Sequence, residues 1–275
     1  MIVSVSRRCD IPRFQFDWFL QRLDAGFVDV PNPFNAAQMR RVSLLPQDDP
    51  VFVFWTRDPG NIAAHAEELE GRGYRFYTMV TVTGYPAALE SGAVPVETAV
   101  AAMRRLAEKT GSRRVIWRYD PVFLSSITDL EFHRRNFRNL ARGLEGSVRR
   151  VIISLYDEYG GAKRRIAALE RAGVFNMQAP RTDGAPVPEL KALIADLASL
   201  AHEAGMEMQS CAEDAASLGI KVGACIDGDL IRELWGFEAP VRDKHQRPLC
   251  RCAEAADIGR YGSCPAGCVY CYASR

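Results

Sequence analysis

Lysine is scarce in this sequence: of 35 basic residues only five are lysine, and the rest are arginine. That bias is either the imprint of genome composition or a use of planar guanidinium forks on carboxylates and phosphates. No apolar run approaches the roughly 18 residues needed to span a bilayer. The opening MIVSVSRRCD has no apolar core of signal-peptide length, so a cytoplasmic enzyme or binding protein is expected. Charge of either sign is not in excess: the net charge is +1 and the pI about 7.6, which argues against a nucleic-acid partner. There is no G-x-G-x-x-G and no G-x-x-x-x-G-K-[ST], so neither phosphate-cradling loop is present. The four histidines, His65, His133, His202 and His245, make no H-x-H or H-E-x-x-H pair, which excludes a barrel-type zinc hydrolase. Internal repeats, low-complexity tracts and long linkers are also missing.

What the chain does have is eight cysteines in 275 residues. Cys264, Cys268 and Cys271 stand at C-x3-C-x2-C. Three thiolates at this spacing suit three irons of one [4Fe–4S] cube, leaving the fourth iron open to a small molecule. Structural zinc more often takes C-x2-C pairs. Disulfides do not suit a cytoplasmic chain. The run CPAGCVYCYA, with Tyr270 before the last cysteine and Tyr272 after it, resembles the cluster-binding motif of the radical S-adenosylmethionine (SAM) superfamily. In that superfamily the motif sits near the start of the catalytic domain; here it lies close to residue 275. The remaining cysteines include Cys211, Cys225 and the pair Cys250 and Cys252. These four could close a second site, an auxiliary iron–sulfur cluster or a structural zinc, unless Cys211 and Cys225 are only small buried hydrophobes. Cys9 has no motif of its own.

Short β-rich runs alternate with helical stretches. Strands are expected at Ile2–Ser6, Phe27–Val30, Val51–Trp55, Arg75–Val82, Arg114–Tyr119, Arg150–Leu155, Glu207–Ser210 and Lys221–Ile226. Helices are expected at Phe16–Asp24, Pro59–Arg72, Val96–Thr110, Asp129–Glu145, Gly161–Arg171, Pro188–Ala204 and Asp229–Phe237. Pro31–Asp49 reads as loop plus a short helix. Alternation of this kind predicts parallel pairing and an α/β fold, a (β/α)8 TIM-type barrel, complete or nearly so, over residues 1–228. Residues 229–275 read as a cysteine-rich metal-binding segment over the barrel mouth, too poor in apolar surface to fold alone. The expected strand ends are polar: Ser6, Arg7, Arg8 and Asp10; Asn32, Pro33, Phe34 and Asn35; Arg57 and Asp58; Arg118 and Asp120. Arg7, Arg57 and Arg118 at one mouth would bind an anion, with Asp10, Asp58 and Asp120 as counter-charges or helix caps.

The fragments SRRCDIP, NPFN, FWTRDP, WRYDP, DKHQR and CRC…DIGRY…CPAGCVYCYA, in this order, resemble a bacterial family known as domain of unknown function 1848, from about Ser4 to Ala273. The resemblance implies a barrel with a displaced radical SAM-like cysteine motif, and a threonine where Cys9 stands. On this reading Cys264, Cys268 and Cys271 hold the catalytic cluster, and SAM yields a 5′-deoxyadenosyl radical that abstracts hydrogen from a small, anionic substrate. Ser6, Arg8, Asn32 and Tyr270 would hold SAM, with Tyr270 near the adenine. Arg7, Asp10, Arg57, Arg118 and Asp120 would face the reacting groups. A ferredoxin or flavodoxin would supply the electron. The alternative is a non-catalytic iron–sulfur electron-transfer protein or a zinc-stabilised binding barrel.

Overall fold

The first strand, β1 (Ile2–Val5), is buried along its whole length. The computed structural model describes residues 1–32, 35–178, 181–182 and 185–274. After β1 a short helix, α1 (Ile11–Phe14), starts on Asp10, whose side chain accepts the Arg13 N–H, with proline in the first turn. Then come α2 (Phe16–Ala25), β2 (Phe27–Asn32) and β3 (Asn35–Ser43). β2 and β3 pair antiparallel as a hairpin of their own. This corrects two expectations: Phe27–Val30 is not a strand of the parallel sheet, and the following stretch is mostly strand, with only a 3-10 turn at Pro46–Asp48. The alternation of Val28 and Val30 does bury one face, but Val42 lies across from it and the partner strand is local. Pro33 and Phe34 lie outside the described residues.

The chain continues through β4 (Val51–Thr56), α3 (Gly60–Gly71), β5 (Arg75–Thr81), α4 (Val96–Thr110), β6 (Val115–Val122), α5 (Leu130–Leu144), β7 (Arg150–Leu155) and α6 (Gly160–Arg171). It ends through the two-residue strands β8 (Arg181–Thr182) and β9 (Ala185–Pro186), α7 (Pro188–Glu203), β10 (Glu207–Cys211), α8 (Ala215–Leu218), β11 (Lys221–Gly223), α9 (Gly228–Trp235) and β12 (Ala256–Asp257). The result is an α/β fold whose central sheet has eight strands in the order β11–β10–β7–β6–β5–β4–β1–β12. Every pairing in this sheet is parallel. The eighth member comes from the cysteine-rich segment itself, where no strand is expected from sequence.

Period-two alternation sorts the strand residues. Phe52, Phe54, Phe76, Trp117, Tyr119 and Ile153 pack in one core with the helices. Val51, Val53, Trp55, Tyr77, Met79, Ile116 and Ile152 form a second core on the opposite face. Each fully buried side chain of this size contributes about 1.5–3 kcal/mol. The helices follow the same logic at their own period. In α5 the buried positions are His133, Phe137, Leu140, Ala141 and Leu144, one face of a helix capped by the Asp129 carboxylate on the Phe132 N–H. Among the described residues no helix is long and apolar enough to cross a membrane.

Candidate cysteine and arginine site at the strand ends

Because β12 runs parallel to β1, the chain leaves β12 at the end of the sheet where Ser6, Arg7 and Arg8 leave β1. Asp257, the last residue of β12, fastens that junction. Its carboxylate accepts the hydroxyls of Ser4 at 2.9 Å and Ser6 at 2.6 Å, and the N–H groups of Arg7 at 2.8 Å and Gly259 at 3.0 Å. The Nε atoms of Arg7 and Arg8 lie 3.7 and 3.9 Å away. Ser6 and Arg8 are thus committed to this junction, and Arg7 takes Asp257 as counter-charge rather than Asp10. Asp10 instead accepts the N–H of Arg57 at 2.8 Å as well as that of Arg13. Burial pushes its carboxyl above the usual range, opposed by those N–H bonds.

The loop carrying Cys264, Cys268 and Cys271 lies on the segment that follows β5. The Val269 N–H donates to the Leu89 carbonyl at 2.9 Å, and the Gly92 N–H to Ala266 at 3.1 Å. Contact is close enough to demand glycine twice. A Cβ on Gly92 would come within 2.6 Å of the Ala266 oxygen, and Gly267 has φ +68° and faces the Ser91 hydroxyl. From α6, Arg165 donates to the carbonyls of Val269 at 3.0 Å, Ser274 at 3.3 Å and Cys271. The Tyr272 hydroxyl donates to the Arg7 carbonyl at 2.5 Å. The three thiols are half-buried and close enough for Cys264 and Cys271 to act electrostatically on Cys268. Burial pushes the Cys268 thiol up to about 11, with Arg57 pulling the other way. The Ala273 N–H points at the Cys271 sulfur, 3.4 Å away.

Beside this loop Arg57 makes a two-pronged ion pair with Glu90, 2.8 Å on each prong, and donates to the Tyr270 hydroxyl at 2.8 Å. Tyr270 donates in turn to Glu90, as does Thr83 at 2.7 Å. Burial works against the Arg57 charge, but Tyr270, Glu90 and Cys268 hold the guanidinium firmly protonated. The Tyr270 ring packs against Tyr85 and Phe123, at centroid distances of 6.2 and 5.9 Å. Tyr270 is therefore the anchor of the loop in the core. Asp58 accepts the Gly60 N–H at 2.9 Å, just ahead of the first turn of α3. A cavity of about 290 Å³ opens next to this network, lined by Arg57, Thr81, Thr83, Tyr85, Glu90 and Val96.

Arg118 is held differently. It pairs with Asp120, which also accepts the Ser154 hydroxyl at 2.6 Å, and its guanidinium lies 4.8 Å from the centre of the Trp55 ring. The Nε of Arg118 and the indole Nε1 of Trp55 are both buried without a hydrogen-bond partner. Two stranded donors at the strand ends are acceptor-seeking groups, since a buried unpaired donor costs about 1–3 kcal/mol.

On the same face four thiols meet. Cys211 ends β10, Cys225 follows β11, and Cys250 and Cys252 precede β12. The sulfurs of Cys225 and Cys211 are 3.2 Å apart. Hydrogen bonds from Cys225 and Cys250 hold the Cys252 thiol well below the usual thiol range. Among the described residues no three His, Cys, Asp or Glu side chains already stand in the ligating geometry of a metal ion. Arg7 acts electrostatically on Cys252, and Arg118 on Cys211 and Cys225.

Arg7 and Arg118 therefore face one thiol set, and Arg57 faces the other. Arg7 and Arg57 follow strands that are direct neighbours in the sheet, β1 and β4, yet their side chains serve different thiol sets. Asn32 ends β2, on the hairpin, and donates to Gln38 at 3.0 Å. Cys9 is buried beside Gly259, near Ser263 and Cys264. Glu90 and Asp257, the carboxylates that organise the site, escape the sequence reading. The only signal for Asp257 is its place in the DIGRY fragment, and Glu90 has none.

No curated protein matches the sequence. Two solved structures of the pneumococcal virulence factor StrH, one described as the tandem GH20 catalytic modules of an exo-β-D-N-acetylglucosaminidase, align at 8% identity over 82% and 81% of this chain. The chain spans 56% of the length of each. At a TM-score of 0.28 that likeness carries no argument. A family model does match, over residues 2–273, so the chain belongs to DUF1848, a domain of unknown function.

Proposed function

We propose that this protein is a cytoplasmic, non-canonical radical SAM-type enzyme built on a closed (β/α)8 barrel. Support for closure comes from strand order. From β1 to β11 the sheet follows chain order without a reversal, and β12 then returns beside β1; right-handed crossovers place the helices on one face, and the other face is covered only if the sheet curls onto itself. The Ala253 N–H donates to the Ile226 carbonyl at 2.9 Å, between the segments that extend β11 and lead into β12.

One observation carries the functional reading. The C-x3-C-x2-C loop leaves the carboxyl end of the strand paired with β1, which is where enzymes of parallel barrels keep their chemistry. The donor set fits an iron–sulfur cluster: three soft thiols, half-buried, with a backbone N–H directed at Cys271. When bound, such a cluster supplies the electron that cleaves SAM reductively and starts hydrogen abstraction. The chain's own residues do the rest. Arg165, Tyr270, Gly92 and Gly267 fix the loop. Arg57 and Glu90 bring a buried ion pair to Cys268 and line the cavity where a small molecule would sit. The free Nε of Arg118 and Nε1 of Trp55 would donate to a carboxylate or phosphate of SAM or substrate. A plain electron carrier has no use for those two donors. A ferredoxin or flavodoxin is the fitting reductant.

The test is anaerobic reconstitution with iron and sulfide, followed by SAM and dithionite. Expected products are 5′-deoxyadenosine and methionine, lost in Cys268→Ala. Reconstituted protein that holds only zinc, or that leaves SAM intact, would remove this reading.

A further inference from the structure

Cys211, Cys225, Cys250 and Cys252 come from three separate stretches of chain and meet in a buried core, exposed by 9%, 2%, 5% and 3%. Their sulfurs touch in series. Cys225 donates to Cys211 at 3.2 Å, and Cys225 and Cys250 both lie close enough to act on Cys252. Two backbone donors aim at the same sulfurs: Ile226 N–H at Cys252, 3.3 Å, and Cys252 N–H at Cys250, 3.5 Å. Peptide groups directed at sulfur are the outer-shell support that thiolate ligands require. Ile2, Val53, Tyr77 and Ile226 pack around the four cysteines in the same buried cluster.

We infer that these four cysteines bind a single tetrahedral metal ion, zinc or mononuclear iron, and that this ion pins the two outer strands of the sheet to each other. Compactness decides against an auxiliary cube. Cysteines on a cube each bind a different iron and stand far apart. Around one metal with bonds of about 2.3 Å, tetrahedral sulfurs lie about 3.8 Å from one another. The 3.2 Å contact needs only a small spreading to reach that spacing, which also accounts for the lack of preset ligand geometry. Four thiolates around a divalent ion carry two negative charges, and Arg7, Arg118 and Arg247 all act on these sulfurs. Placement gives the ion its role. Cys225 lies just past β11 and Cys252 just before β12, the strands at opposite ends of the sheet order, so the metal spans the seam.

The experiment leaves the other cysteine set out. In the variant Cys264→Ala/Cys268→Ala/Cys271→Ala, metal and acid-labile sulfide are measured after expression with zinc and iron supplied. One metal per chain without sulfide is expected, together with the visible spectrum of tetrahedral cobalt thiolate after Co²⁺ exchange. Adding Cys225→Ser should remove the metal, and adding Cys9→Ser should not. Four irons with sulfide, or no stoichiometric metal, overturns the inference whatever becomes of the SAM reading. Should the variant be insoluble, zinc-edge X-ray absorption of the wild-type chain expressed with zinc, where iron of the other cysteine set does not contribute, decides: four sulfur neighbours are expected, and a nitrogen or oxygen ligand or no stoichiometric zinc contradicts it.

Discussion

Glu90 is the residue on which the neighbourhood of Cys268 turns. It is buried and receives Arg57, Thr83 and Tyr270 at once. Glu90→Gln leaves the Arg57 charge uncompensated, and the expected loss is about 3 kcal/mol in urea unfolding. The double change Arg57→Met/Glu90→Leu should recover most of it, because a buried pair replaced by apolar groups is close to neutral. Arg118→Lys tests the other donor. Lysine keeps a charge for Asp120 but loses Nε and the planar stack on Trp55. SAM binding should weaken about tenfold, the value of one charged hydrogen bond, while the melting temperature stays within a few degrees. A large stability loss with unchanged affinity would make Arg118 a structural residue. His133 gives a pH signature. Its Nε2 faces the Phe123 carbonyl at 3.1 Å and so carries the proton, and Nδ1 accepts the Tyr119 hydroxyl at 2.8 Å. Burial pulls its pKa from 6.5 to about 4. The unfolded chain therefore takes up the proton first, and stability falls as pH drops from 6.5 toward 4, by about 1.4 kcal/mol per unit. Urea midpoints between pH 7 and 5 should fall in wild type, with the slope flattened in His133→Gln.

At the scale of elements, periodicity was informative wherever a segment's own pattern decides its fate. β1, β4 to β7 and α2 to α7 lie within three residues of their sequence expectation at either end, because each buries one face at its own period. Partner choice was not legible. Val28 and Val30 alternate as a sheet strand does, yet they pair with a neighbouring hairpin strand. β12 is two residues long and shows no pattern at all. The same holds within the site: Asp120 stands two residues from Arg118 and could be read, whereas Glu90 lies 33 positions from Arg57 on a loop whose course only the tertiary fold sets. That loop and α6 are testable as a clamp. Arg165→Met removes three bonds to the cysteine loop, and Gly92→Ala forces it off the Ala266 carbonyl. Both variants should keep wild-type circular dichroism but hold less iron after reconstitution and lose it faster in air. Unchanged iron retention would show that the loop keeps its shape unaided.

At the scale of the molecule, the cysteine-rich segment is tied into the sheet because Ala256 and Asp257 pair with Val3 and Ser4. A chain ending at Phe237 would leave one flank of β1 unpaired and strip Ser4, Ser6 and Arg7 of their shared acceptor. An open, apolar strand edge is a template for association. Such a chain should be recovered as aggregate; a monomer with native circular dichroism would mark the cysteine-rich segment as an appendage.

The pairing of Ser4 with Asp257 spans 253 positions, and ribosomes work at about 5–20 residues per second, so β1 waits roughly 13–50 s for its last neighbour. During that interval the outer flank of β1 is open; Cys211, Cys225, Cys250 and Cys252 are made only toward its end, and the three loop cysteines after it. If the cysteines bind metal as proposed above, they do so only at the end of synthesis, on a nearly finished sheet, and a shortage of metal at that moment should be felt as loss of protein before it is felt as lost activity.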